Sequence, residues 1–341
     1  MERHCEKGAS CPPASPEKTK TSLFTRYLVS VIPFLVVGGL IYGGVYLKPV
    51  VKAVNVPPAV IERGDYLYGI AQLGSERLIA VGSRGKIWTS MGPTASWARL
   101  ASPIKTTLQD VDSWDALNAV AVGDNGEIIV TRDGGSTWSK AAPPRSKVAN
   151  KLLRVRTAGQ GVAWAVGEAG AVLKSEDYGQ TWTRARAEED VAWNGVWIQG
   201  SRIWIVGEFG SVSFSADNGR TWTKQNTPIQ GSLMAVAFKD AVSGVAVGVD
   251  GAILTTADGG LTWIKRELRA KDHFYDVIWD ADRWAAVGDK GLLAMSDANG
   301  EAWQVVGGKD SDRRWHTKIL RFGSGYALTG ASFLVVDRTF K

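Results

Sequence analysis

Four aspartates, Asp133, Asp177, Asp217 and Asp258, occupy one position in a recurring motif, Ser/Thr-x-Asp-x-Gly-x-Thr-Trp. Carboxylates at a regular period suggest two chemistries. One is calcium binding, which needs several oxygens around one ion. The other is glycoside hydrolysis by a pair of carboxyl groups. Both need the acids to converge. The rest of the motif points to a turn instead. An Asp side chain can accept backbone N–H bonds and stand in for part of a turn. Trp138, Trp182, Trp222 and Trp263, which end the boxes, each offer a large apolar plate. One such turn per repeat keeps the carboxylates too far apart to share an ion, so a structural role is expected and no metal.

Other chemistry has little to draw on. Both cysteines, Cys5 and Cys11, precede residue 12 and are irregularly spaced with His4, a poor zinc set. Beyond them only His273 and His316 offer imidazoles. No G-x-S-x-G elbow occurs. No catalytic residue and no cofactor is expected.

The boxes belong to a longer unit. Six times a Val-Gly pair is followed fifteen residues later by a tryptophan: Gly82 to Trp97, Gly123 to Trp138, Gly167 to Trp182, Gly207 to Trp222, Gly248 to Trp263 and Gly288 to Trp303. Gly330 opens a seventh copy that the sequence leaves short. Successive glycines lie 41, 44, 40, 41, 40 and 42 residues apart. A period near forty in short β-branched runs, broken by Gly, Asn and Asp, marks four-stranded propeller blades. The expected fold is all-β, a seven-bladed β-propeller over 60–341. The seventh copy has three strands of its own. The segment Val54 to Glu62 is expected to supply the fourth and close the ring.

The N-terminus is of another kind. Residues 1–52 hold seven Lys/Arg and three Asp/Glu, so most of the net charge of +6 lies there. The repeats lack a basic excess, and nucleic acid is not an expected partner. Residues 27–47 carry no charge and are long enough to span a bilayer. Arg3, Lys7, Lys18, Lys20 and Arg26 precede the span, which puts 1–26 in the cytoplasm as a disordered tail and the propeller in the periplasm. A long leader and the lack of an A-x-A site favour an uncleaved inner-membrane anchor over a signal peptide. Residues 48–59 then form the linker and closing strand. Gly39 and Gly43 make a G-x-x-x-G pair suited to helix packing, including span-mediated self-association.

The box, quoted above, is the BNR or Asp-box repeat of sialidases and other propellers. Its combination with V-G-x-x-G over seven copies resembles the photosystem II stability/assembly factor-like family, across residues 60–341. That resemblance implies a non-enzymatic assembly factor docking a membrane protein complex. The complex is photosystem-type, or an RND-type exporter if the source is non-photosynthetic. The sequence departs from the lipid-anchored pattern in having a span. A sialidase-like or other glycan hydrolase is the alternative, but no Arg-Ile-Pro tripeptide occurs.

A partner is expected on the face formed by the turns after each second strand and the loops between blades. Those turns carry Asp124, Glu168, Glu208, Asp250 and Asp289, with Arg84 in the first. The loops bring arginine next to aromatics, a composition of interface hot spots. The partner-binding candidates are Arg154, Trp193, Arg269, Phe274, Tyr275, Arg314 and Trp315. The same aromatics also stand where inner strands begin, which would bury them.

Overall fold

The computed structural model describes residues 23–47, 60–92, 95–306 and 313–340. The protein divides into two compact units, 1–57 and 58–341. In the first, a helix runs Leu23–Tyr46 with Pro33 inside it, and Tyr27–Tyr46 is long and apolar enough to cross a membrane. The helix starts earlier than the expected span. A charge ends an apolar run but not a helix, because arginine is a good helix former. Residues 1–22 of the expected tail and the linker 48–59 lie outside the described residues.

The second unit is a seven-bladed propeller. Six antiparallel sheets have four strands, and the last has three among the described residues. Strands within each sheet follow sequence order, as a meander requires. The innermost strands are Leu67–Leu73, Leu108–Ser113, Leu152–Thr157, Trp193–Gln199, Leu233–Phe238, Phe274–Asp280 and His316–Phe322. Most are rich in branched or aromatic residues, which suit a pleated, buried surface.

All seven inner strands carry a bulge at their second residue, as between Leu108 and Asp110. The Val-Gly glycine sits opposite that bulge. A Cβ on Gly123 would lie 2.1 Å from the Thr107 carbonyl oxygen. On Gly330, in the seventh copy, it would lie 2.2 Å from that of Trp315. The glycine that marks the period is therefore required by close backbone approach.

The box tryptophans fill the gaps between blades. Trp222 meets Trp164 of the preceding blade edge-on, at 6.1 Å between centroids, and Trp263 packs in one cluster with Trp204 and Val206 of the blade before it. Truncating such a plate typically costs about 3–5 kcal/mol. The first and last blades touch in the same way, with Trp97 edge-on to Phe333 at 4.8 Å. Thr317 also donates its hydroxyl to the Tyr68 carbonyl at 3.0 Å. The strand expected from Val54 to Glu62 lies mostly outside the described residues; Val60–Glu62 form no strand. Ile61 packs on the cluster of Leu67, Ala80 and Trp88 that Phe333 also joins.

Candidate functional site

The four complete Asp boxes, in the second to fifth blades, lie at one end of the ring. In the fourth blade Asp217 accepts the Ser215 hydroxyl at 2.8 Å, the Thr221 N–H at 2.8 Å and the Thr221 hydroxyl at 2.6 Å. The boxes of Asp133, Asp177 and Asp258 repeat this network. The threonine hydroxyl and N–H hold Asp133 and Asp217 well below the usual carboxylate range, at about 2. Trp138, Trp182 and Trp263 are buried and Trp222 is half-buried. Trp182 and Trp222 also donate Nε1–H to the box glycine carbonyls, at 2.9 and 3.2 Å. These carboxylates are spent on their own turns. Among the described residues, no group of three or more His, Cys, Asp or Glu is arranged to hold a metal ion.

The opposite face is built from the turns after the second strands and the inter-blade loops. Those turns place Arg84, Asn125, Phe209, Asp250 and Lys290 at positive φ, between 49° and 59°. Phe209 is 68% exposed there. A bulky residue in this conformation is uncommon. Two of the turn carboxylates are tied down locally: Asp124 accepts from Gln109 at 2.9 Å, and Glu208 accepts the Ala192 N–H at 2.8 Å.

A cavity of about 750 Å³ opens on this face across the first three blades. Its charged lining is Arg84, Lys105, Arg145 and Lys151 against Asp124 and Glu168. Arg84 is held by Asp65, and Lys151 stands 3.7 Å from Asp124. Most of the lining cations remain turned to solvent and give the cavity a positive balance.

The partner-binding candidates separate in the structure. Arg269 and Arg314 are exposed, and Tyr275 and Trp315 are half-buried. Trp315 stacks on Tyr68 at 5.7 Å and tilts against Tyr66 at 5.3 Å. Trp193 and Phe274, by contrast, are buried at the start of their inner strands, below the surface a partner would meet. Arg154 is buried too. It reaches across the ring to donate to the Tyr275 carbonyl at 2.9 Å and lies 3.9 Å from Asp276.

Arg154 belongs to a charged cluster on the ring axis. Lys318 contacts both oxygens of Asp110, at 2.8 and 3.1 Å, across 208 residues of sequence. Asp110 also accepts the Val155 N–H at 3.1 Å, and Asp276 the Ile319 N–H at 3.1 Å, so each acid stitches its blade to the next. Burial and the guanidinium groups of Arg154 and Arg156 push Lys318 down to about 8. Burial opposes the charge of Asp110, yet Lys318, Arg154 and Arg156 hold it below its usual range. The neighbouring cations contribute to both shifts, while burial adds to that of Lys318 and opposes that of Asp110. Sequence reading took Arg154 only as a loop cation and did not bring out Asp110, Asp276 and Arg156. The signal was present: these charges fall at the third and fifth positions of the inner strands, where they are buried or half-buried.

Fold and surface together define a rigid Asp-box propeller whose charges serve turns, blade seams and an open basic cavity. The protein belongs to the family described as photosynthesis system II assembly factor YCF48, whose model matches residues 89–194 and 222–311. A solved structure described as YCF48 bound to D1 peptide is similar at 19% identity and TM-score 0.63, covering 81% of this sequence and 92% of that one. YCF48 from Cyanidioschyzon merolae is similar at 17% identity and TM-score 0.64, covering 83% and 96%. At these identities the structural likeness establishes the shared fold. No curated protein matches the sequence.

Proposed function

We propose that the protein is a non-catalytic docking and assembly propeller. It receives a segment of an integral membrane protein complex on the face opposite the Asp boxes. The observation that carries this reading is the basic cavity lined by Arg84, Lys105, Arg145 and Lys151. An acidic, extended peptide or the free carboxyl end of a polypeptide fits its charge. The family supports the same role, since one relative's solved structure is described as bound to a D1 peptide. The exposed Arg269 and Arg314 and the half-buried Tyr275 and Trp315 extend the docking face around the ring.

The helix Tyr27–Tyr46 serves as a single inner-membrane span, with the N-terminus cytoplasmic and the propeller periplasmic, as the preceding basic residues favour. Tethering raises the local concentration of a membrane partner, so each contact can be weak by itself. Gly39 and Gly43 leave the span open to close helix packing: a Cβ at Gly39 would meet nothing within 4 Å. The partner is photosystem-type in a photosynthetic source and an RND-type exporter otherwise.

The test is affinity purification from native membranes, read by mass spectrometry, with the wild type and an Arg84→Glu, Arg145→Glu variant. A membrane complex recovered by the wild type and lost by the variant is expected. Equal recovery by both, from a variant that melts normally, would refute docking at this cavity.

A further inference from the structure

The ring axis ends in a second cavity, on the Asp-box side, which the docking face does not use. It holds about 410 Å³ and is lined by residues from the inner strands of six blades. That volume suits a small organic molecule. Its walls are apolar and flat, with Trp197, Trp279, Ile278 and Leu320. Its polar side carries Arg156, Lys318 and Arg321, with the carboxylate of Asp112 and the polar Gln72 and Ser113 beside them.

Arg156 is the informative residue. It is largely enclosed, yet its guanidinium makes no hydrogen bond or ion pair among the described residues. The nearest candidate, Asp112, is already engaged. Its oxygens accept the Ser113 N–H at 2.9 Å, the Thr157 N–H at 2.9 Å and the Thr157 hydroxyl at 3.3 Å. Lys318 is committed to Asp110. Arg156 therefore keeps a planar fork of donors facing a partly open, mostly apolar cavity. Burial works against its charge, and Asp112, Asp110 and Asp276 hold that charge in place at a distance. Guanidinium forks match carboxylates in a bidentate geometry.

We propose that this axial cavity binds a small organic anion, its carboxylate held by Arg156 and its flat apolar body lying against Trp197 and Trp279. The site is separate from the docking face and stands whether or not that face binds a peptide.

The experiment uses the full-length protein in detergent micelles and two probes of one shape, 2-naphthoate and neutral 2-naphthamide. Binding is read by calorimetry, with a micelle blank subtracted. The naphthoate should bind saturably and about ten- to a hundredfold more tightly than the amide, the scale of charge-assisted hydrogen bonds. Arg156→Gln should erase that preference, and Arg156→Lys should retain part of it. Trp279→Leu should weaken both probes alike. Equal affinities in the wild type, no saturable binding, or a preference that survives in Arg156→Gln would overturn the assignment. If Arg156→Gln does not fold, full retention by Arg156→Lys together with no effect of Trp279→Leu would overturn it equally.

Discussion

Replacing Asp110 with Asn should be among the most damaging single changes on the axis. Asp110 is fully buried and Lys318 is 3% exposed. The substitution removes the carboxylate that Lys318 touches at 2.8 Å and leaves the ammonium beside Arg154 and Arg156. Breaking one side of a buried pair costs about 3–5 kcal/mol. The reverse change, Lys318→Met, is milder. It leaves Asp110 with the Val155 N–H and the field of the two guanidinium groups, so its cost should stay near about 2 kcal/mol, the scale of one charge-assisted hydrogen bond. At roughly 2 °C per kcal/mol for a body of this size, Tm should fall by about 6–10 °C for Asp110→Asn and about 4 °C or less for Lys318→Met. The double change to Leu and Met should recover most of the loss, because an apolar pair of similar volume carries no stranded charge. Calorimetry of the full-length protein in micelles gives Tm, and urea midpoints give an independent ranking. A larger loss for Lys318→Met than for Asp110→Asn would refute the argument that the axial field is positive.

Three further outcomes follow from the same geometry. Gly123→Ala should cost about 1–3 kcal/mol, because its Cβ would press on backbone at 2.1 Å, whereas Gly159→Ala, which meets nothing within 4 Å, should stay within about 0.5 kcal/mol by urea unfolding. Asp217 is held at about 2, below its unfolded value near 4, so its contribution is present above that range and fades as pH falls from about 4 to about 2. The urea midpoint of Asp217→Asn should therefore lie below the wild type at neutral pH and approach it at the acid end. Burial and the hydrogen bond to Asp280 push Tyr326 up to about 12, so Tyr326→Phe should remove a phenolate step at the high-pH end of an ultraviolet titration.

The period, the blade count and the role of the Asp box were legible in the sequence because each is local. A box such as Ser215 to Trp222 closes its hydrogen bonds within a few residues, so its meaning travels with the motif. The same holds for the apolar run ending at Tyr46, whose length and lack of charge suffice to mark it. The Val-Gly pair marked the period, but its reason was hidden: Gly123 is pressed by Thr107, just ahead of the strand before it, and no turn demands it.

What a residue does at the centre depends on residues brought from the far side of the ring. Lys318 reads as one cation in a loop-like run until Asp110 arrives beside it from 208 positions away. Trp193 and Phe274 read equally well as exposed anchors or core, and packing of the closed ring buries both. Arg156 stands out only once the inner strands of six blades meet around a cavity that it lines without a hydrogen-bond or ion-pair partner among the described residues. Local hydrogen bonding and hydrophobic period thus settled the architecture. Burial and charge pairing across the axis, which exist only once the ring is closed, settled which side chains remain available to a partner or a ligand.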